Sequence, residues 1–422
     1  MLHRIVIIGG GFAGLNLIRG LKNCDCQILL IDKSNCHVFQ PLLYQVATAS
    51  LSESSISKPL REIFKNQQNV TVQMDCIVSA DRGGKKLLTQ KGEEIPYDTL
   101  IIATGAKHSY FGNPHFEPFA PGLKTLEDAL KIKERLLYAF EKAEKSKNQV
   151  AAVEHLVFIV IGGGPTGVEL AGSIAEFKNL TLKKDFRRID PNKARVLLIE
   201  GMQEVLPPYP ESLRKQAHKD LEALGVEILT STKVTNVLAH GVETDKGFLH
   251  AEVIIWAAGN QASSMLKTLG VELDRQGRAI VGPYLQIPGD EDVFVIGDAA
   301  HFKGIDGNPL PGIAPVAIQM GSYIAKRIKE KLLGRPFKKP FKYFDKGMMA
   351  IIGSFRAVAI SGGLKLKGFF AWFAWLFIHI LYIVTFRNRL IVALDWLTHY
   401  LTGRSRNYRV IIRSAEELDE EN

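Results

Sequence analysis

Short, uninterrupted apolar runs, each closed by glycines or by an acid, punctuate most of this chain. IVII at 5–8 leads into GGGFAG, then a segment of helical spacing, then ILLID at 28–32. The order returns as FIVI at 158–161, GGGPTG, a second helical segment and VLLIE at 196–200. Strand, glycine turn, helix and strand make a βαβ unit, and the repeat predicts two of them. The first reaches its acid at close to the spacing of about 20 residues expected of such units. The second reaches it later, across a polar stretch at 178–193 that reads as an inserted loop or a helix extension.

Around these units, 70–90 alternates as strands do, with Gly83 and Gly84 as the turn, and 97–105 reads as a buried strand ending in Ala-Thr-Gly. Helical spacing covers 125–146, and 226–258 breaks into several short strands. VFVIGD at 293–298 is a further buried strand with a Gly-Asp end, followed by a Gly/Pro-rich loop and a basic helix over 315–333.

Bulk numbers add little until charge is considered. The length allows about three domains, and 46% hydrophobic against 23% charged residues is ordinary for a globular protein. Cys24, Cys26, Cys36 and Cys76 all lie early in the chain, too few and too local for a disulfide framework and without C-x-x-C spacing. The apolar run at 5–8 is only four residues long, against about 7–15 for a secretory core, so the chain is expected to start and stay on the cytoplasmic side. The net charge of +9 is unevenly placed: 326–413 holds 18 Lys and Arg against three acids. A polyanion, lipid surface or nucleic acid, is the implied partner of that region.

The two glycine motifs carry the chemistry. Gly9, Gly11 and Gly14, with Phe12 and Ala13 between them, and Gly162, Gly164 and Gly167, with Pro165 and Thr166, permit a tight strand-to-helix turn and close approach of a pyrophosphate. The helix N-terminus then offers N–H groups and positive dipole to the phosphates. Asp32 and Glu200, at the ends of the second strands, are placed to accept ribose hydroxyls. One such motif is weak evidence; two complete ones predict two bound dinucleotides. Glu200 is followed by Gly201-Met202-Gln203 with no arginine for a 2′-phosphate, so the second unit should take NADH in preference to NADPH. The first takes the other dinucleotide by elimination. A flavin, FAD, fits there, because hydride chemistry between two dinucleotides needs a two-electron carrier.

With these residues in place the chain resembles the flavoproteins with two dinucleotide-binding domains, and within them the type II NADH dehydrogenases, the non-proton-pumping NADH:quinone oxidoreductases. The resemblance covers nearly the whole chain and is carried by FQPLLYQVA at 39–47, GGGPTGVE at 162–169, WAAG at 256–259, IGDAA at 296–300 and the hydrophobic, basic C-terminus. It implies that Ala103, Thr104, Gly105, Asp298 and Ala299 belong to the FAD domain, with Asp298 on a ribityl hydroxyl, that Gln45 contributes to cofactor binding, and that Ala258 and Gly259 serve the NADH side. It also implies a catalytic Glu169 beside nicotinamide and quinone, assisting binding or proton delivery. Where the family often shows A-Q-x-A-x-Q against the quinone, this chain has APVAIQ at 314–319. Pro315 replaces the first glutamine and leaves Gln319 as the candidate.

The expected architecture is therefore α/β, with two Rossmann-like domains and a C-terminal amphipathic helical membrane anchor. Its boundaries are 1–125 and 285–345 for the FAD domain, 150–284 for the NADH domain and 346–422 for the membrane-associating region. In the last, 369–386 is almost wholly apolar and 390–401 amphipathic, framed by Lys365, Lys367, Arg387 and Arg389. Positive residues at both ends give no orientation preference. Together with Trp372, Trp375, Tyr382, Trp396 and Tyr400 they fit helices lying in the membrane interface, on anionic lipid. The partners expected are quinone and a lipid surface, with a homodimer possible, no nucleic acid and no metal; the location is the cytoplasmic face of the cell's inner membrane. The alternatives are a sulfide or disulfide oxidoreductase on the same fold, which needs a cysteine pair that this chain lacks after Cys76, and a flavin-bearing membrane sensor without turnover.

Overall fold

A computed structural model describes residues 2–182, 185–402, 408–414 and 416–418. Residues 183–184 of the polar stretch, and 403–407, 415 and 419–422 of the expected membrane region, lie outside the described residues. The chain forms two compact units: Met1–Val38, Ser57–Lys107 and Asn260–Lys346 make one, and Phe39–Ile56, His108–Gly259 and Gly347–Asn422 the other.

The first unit is built on a five-stranded parallel sheet in the order Val293–Val295, Thr99–Ile102, His3–Ile8, Cys26–Asp32, Val70–Met74. The apolar runs are continuous because both faces of such a sheet are covered. The helix Phe12–Gly20 packs against Ala314–Leu332, so closely that a Cβ on Gly321 would stand 2.2 Å from the Ala13 oxygen and one on Gly20 2.5 Å from Ala325. Residues 260–284, expected with the NADH domain, belong here instead. Met265, Leu266 and Leu269 fill a core with Ile77, Leu87 and Ile95, and Ala279–Ile280 pairs with Ala300–His301. The expected hairpin is present as Ile77–Asp81 and Lys86–Thr89, with the Asp81 carboxylate accepting the Gly84 N–H at the turn.

The second unit repeats the plan with four parallel strands ordered Val226–Leu229, Arg195–Ile199, Val157–Ile161, Val253–Trp256. The segments 39–56 and 108–125, expected with the FAD domain, fall in this unit. Tyr110, Phe116 and Ala120 join a core around Trp256, and Leu43–Ala47 packs on Leu126–Lys145 and Pro165–Glu176. The helix Leu126–Lys145 starts at a capping box in which Thr125 and Asp128 satisfy each other's backbone N–H. After Glu176 the second glycine helix widens into a π-turn, Phe177–Thr181, which is the extension expected there.

The region 346–422 is not wholly helical. It opens with an antiparallel meander, Met348–Gly353, Arg356–Ser361 and Leu364–Lys367, whose second turn is Gly362-Gly363. The apolar run 369–386 then divides into the helices Gly368–Tyr382 and Phe386–Thr402. Thr385 ends the continuity: its hydroxyl accepts the Asn388 N–H three residues on, the geometry of an N-cap. No helix among the described residues is long and apolar enough to cross a membrane. Trp372, Trp375 and Trp396 are buried, contrary to the expected interfacial belt; Phe369, Phe370, Phe373 and Phe377 form the exposed face.

Candidate active site

The two glycine turns have the same geometry, residue for residue. Gly9 and Gly162 adopt φ of +107° and +109°, and a Cβ would collide with the Ala103 oxygen at 2.3 Å or with the Ala257–Ala258 backbone at 2.9 Å. At Gly14 and Gly167 a Cβ would stand 2.1 and 1.8 Å from the oxygens of Gly9 and Gly162. These four glycines are required by the protein itself. Gly11 and Gly164 are different: extended backbone at the helix N-cap, with nothing of the protein within 4 Å of an added Cβ. Open space before the unsatisfied N–H groups of a helix start is what a pyrophosphate needs.

The acids do more than wait for a ribose. Asp32 Oδ2 accepts the Gly10 N–H at 2.6 Å while Oδ1 accepts the backbone and hydroxyl of Ser34. Glu200 Oε2 accepts the Gly163 N–H at 2.6 Å and Oε1 the Met202 N–H at 2.7 Å. Each carboxylate thus clamps its own turn and keeps lone pairs for a ligand hydroxyl.

Two further polar groups in the first unit carry no protein partner. Thr104 Oγ1 is buried and unbonded, and so is Nε2 of His37, whose Nδ1 meets the Gly10 oxygen at 3.0 Å and whose ring lies edge-on to Phe12. Burial depresses the His37 pKa, so the ring is neutral. Asp298 lies in the turn Gly297–Ala299 at the end of Val293–Val295, with Gly312 against its carboxyl at 3.1 Å for an added Cβ. Ala299 and Ala103 are buried, and Gly105, at φ +67°, borders open space. Orphaned donors and acceptors around a glycine cradle fit a large polar cofactor such as FAD. On the NADH side, Pro165 occupies N1 and Thr166 follows it, both exposed at the helix start. Gly259, at φ +70°, lies under Phe111, and the Trp256 indole donates to the oxygens of Ser109 and Ala258.

A cavity opens in the second unit, lined by Tyr44, Gln45, Ser50, Glu169, Ser173, Glu176, Ile351, Ile352, Gly353, Trp396, His399 and Tyr400. Burial raises the Glu169 carboxyl to about 8, against the smaller opposing effects of the Ile351 N–H and the Trp375 indole. Gln45 is committed within the protein: Nε2 donates to the Tyr44 hydroxyl and Oε1 accepts the Trp396 indole N–H at 2.7 Å. Gln319 is in the first unit and does not line this cavity. Its amide forms a two-way pair with the Phe344 backbone, both bonds 2.9 Å. Pro315 sits in the first turn of Ala314–Leu332, where its fixed φ and missing N–H suit a helix start. Among the described residues no group of three His, Cys, Asp or Glu side chains is gathered to hold a metal ion.

Two family models match the chain: pyridine nucleotide-disulphide oxidoreductase over residues 3–321 and the NDH2 C-terminal domain over 346–405. The type II NADH:quinone oxidoreductase Ndh of Mycobacterium tuberculosis is 43% identical over 416 residues, covering 95% of this chain and 89% of the relative. The chain belongs to the type II NADH:quinone oxidoreductases. A second such protein of M. tuberculosis, NdhA, is 42% identical over 97% of this chain and 89% of its own. The structure of NDH2 from Plasmodium falciparum in complex with NADH superposes with a TM-score of 0.87 over 96% of this chain and 99% of that one, at 20% identity, and so speaks for the fold alone.

In this oxidoreductase, sequence reading assigned Thr104 to the FAD domain but missed His37, Glu176 and the place of Trp375 beside Glu169. Glu176 carried a legible signal, since it follows Glu169 by seven residues on a helix and shares its face. The other two are defined by burial without a partner or by contacts far along the chain, for which no local pattern exists.

Proposed function

We propose that the activity of this NADH:quinone oxidoreductase is divided along the chain as follows. FAD is held at the first glycine turn by Gly9, Gly11, Gly14, Asp32, Thr104 and Asp298, and NADH docks at the second by Gly162, Gly164, Gly167 and Glu200. Quinone is reduced beside Glu169. The observation that carries this reading is the repeated geometry at Gly11 and Gly164, where no protein atom comes within 4 Å of an added Cβ before a helix start. When bound, FAD supplies a two-electron acceptor and donor.

The chain's own part is placement and proton handling. The starts of Phe12–Gly20 and Pro165–Glu176 offer N–H donors to pyrophosphates. Glu200 accepts from a ribose 2′-hydroxyl and repels a 2′-phosphate, favouring NADH. Glu169, neutral near pH 7 because of its burial, holds a proton where quinone needs one. Gln319, in the first unit, keeps one N–H and one lone pair beyond its pairing with Phe344. The helices Gly368–Tyr382 and Phe386–Thr402 dock on anionic lipid from the cytoplasmic side, their exposed phenylalanines and leucines inward to the bilayer. A disulfide mechanism is not favoured, since all four cysteines are unpaired and precede position 77.

The test is direct. Purified protein should carry tightly bound FAD and oxidise NADH only when quinone is supplied. Protein without flavin, or with flavin but no quinone-dependent NADH oxidation, refutes the assignment.

A further inference from the structure

The helix Pro165–Glu176 places Glu169, Ser173 and Glu176 on one face, in steps of four and three residues, and all three line the cavity. The two carboxyls are about 10 Å apart along the helix axis, too far for direct contact. Ser173 stands between them, its hydroxyl 2.7 Å from that of Thr48. The opposite wall is built for both acids. Gly172 lets the strand Met348–Gly353 approach so closely that a Cβ would stand 1.8 Å from the Ile352 oxygen. That strand and its turn then give Glu169 Oε1 the Ile351 N–H at 3.4 Å and Glu176 Oε1 the Ser354 N–H at 2.5 Å. Gly353 leaves room for the second carboxyl: a Cβ there would be 2.9 Å from Glu176 Oε1.

Among the described residues, the other ionisable groups facing the pair are tyrosines, histidines and one arginine. Tyr44 on Leu43–Ala47, Tyr209 before the helix Glu211–Ala223, and Tyr400 on Phe386–Thr402 are pushed upward, chiefly by burial. His399 is pushed down by burial, and His379, stacked on Trp375, to about 4. Arg356 is the cation acting on Glu176, and it only partly opposes the burial that raises this carboxyl. Glu169 and Glu176 are the two carboxyls that line the cavity, and burial raises both.

From this placement, and resting on the assignment of quinone reduction to the Glu169 cavity, we infer that Glu176 is a second proton-holding residue of the quinone site, returning a proton to Glu169 along the helix face by way of Ser173. The overall reaction, NADH + H⁺ + quinone → NAD⁺ + quinol, draws one proton from water per turnover, and both electrons come from NADH. Glu169 breaks its O–H bond to protonate a quinone oxygen and becomes a carboxylate. The Glu176 O–H bond then breaks as the Glu169 O–H re-forms, with the Ser173 hydroxyl accepting one proton and donating another. Glu176 regains its proton from water.

The test compares E176Q, E176D and E169Q in the flavin-loaded, full-length protein, with quinone turnover measured across pH and protonated-carboxyl infrared bands recorded for each. Wild type should show two such bands below the Glu169 midpoint of about 8, and each Gln variant should lose one. E176Q should lose on the order of tenfold in kcat, with its alkaline fall moved to lower pH and KM for NADH unchanged; E176D should restore both. A single band in wild type overturns the inference without any variant, as does an E176Q profile that overlays wild type while E169Q is impaired. If E169Q also turns over quinone like wild type, the placement of the quinone site itself is what fails.

Discussion

The Glu200 carboxylate accepts the Gly163 N–H at 2.6 Å, so the residue proposed to select the nucleotide also holds the second glycine turn. Glu200→Gln keeps an amide oxygen for one backbone donor but loses the charge. It should narrow the preference for NADH over NADPH by about 1–3 kcal/mol in kcat/KM, the usual worth of a charged hydrogen bond. Steady-state kinetics with both cofactors checks this. Equal kcat/KM for the two in wild type would mean that Glu200 selects nothing.

The glycines separate structural need from ligand need. Gly14→Ala places a methyl 2.1 Å from the Gly9 oxygen and should destabilise the protein by several kcal/mol, as overpacking against rigid backbone does when it cannot relax. Gly11→Ala meets no protein atom within 4 Å, so its melting temperature without flavin should match wild type while flavin retention falls sharply. Thermal unfolding of flavin-stripped protein and flavin content after gel filtration give the two readouts. A Gly11→Ala protein that keeps its flavin in full would show that the cradle has another purpose.

Much of this was legible along the chain, because the βαβ signal is local. An apolar run, a glycine spacing and an acid about 20 residues on need no tertiary information, and both sheets formed where those runs predicted. The boundaries were harder. Residues 260–284 follow the second unit in sequence, yet Leu266 and Leu269 find their apolar partners at Ile77 and Leu87. Composition also misread the C-terminus. Trp375 and Trp396 suit a lipid interface as residue types, but here they are drawn inside by the Glu169 cavity and by the Gln45 amide. The meander at 348–367 has Gly362-Gly363 as its local mark, and the longer apolar run that follows it masks the strand pattern.

Glu169 should leave its mark on stability as well as turnover. Its folded midpoint is about 8 against an ordinary value of 4.5, so between those values the unfolded chain releases a proton that the folded chain keeps. Stability relative to an isosteric amide is full below 4.5, falls as pH rises through this window and levels off above about 8. Glu169→Gln should therefore match wild type in acid and exceed it in alkali, by on the order of a few kcal/mol. Quinone turnover of the same variant should drop by about 10²-fold or more, as for loss of a general acid. Melting curves for the two proteins that stay parallel across the range would show that the carboxyl is ionised in the fold.

Membrane docking is tested on the open face of the C-terminal helices. Deleting the chain from 368 onward is a poor probe, because Trp396, His399 and Tyr400, which wall the Glu169 cavity, would go with it. Phe370, Phe373 and Phe377 are 74%, 59% and 59% exposed, and each offers about 1.5–3 kcal/mol on entering an apolar medium. Their joint replacement by Gln should abolish co-sedimentation with anionic vesicles and slow reduction of long-tailed quinones, while turnover with a short, water-soluble quinone persists. Binding of the wild type should weaken with salt, since Lys365, Lys367, Arg387 and Arg389 frame the apolar face. At 15 and 17 residues the helices reach about 22 and 26 Å, short of the roughly 30 Å core of a bilayer. Cysteines placed at Ser361 and at Ser405, the latter outside the described residues, should both escape an impermeant reagent added to intact cells. Labelling of one alone would put a crossing between them and refute the interfacial anchor.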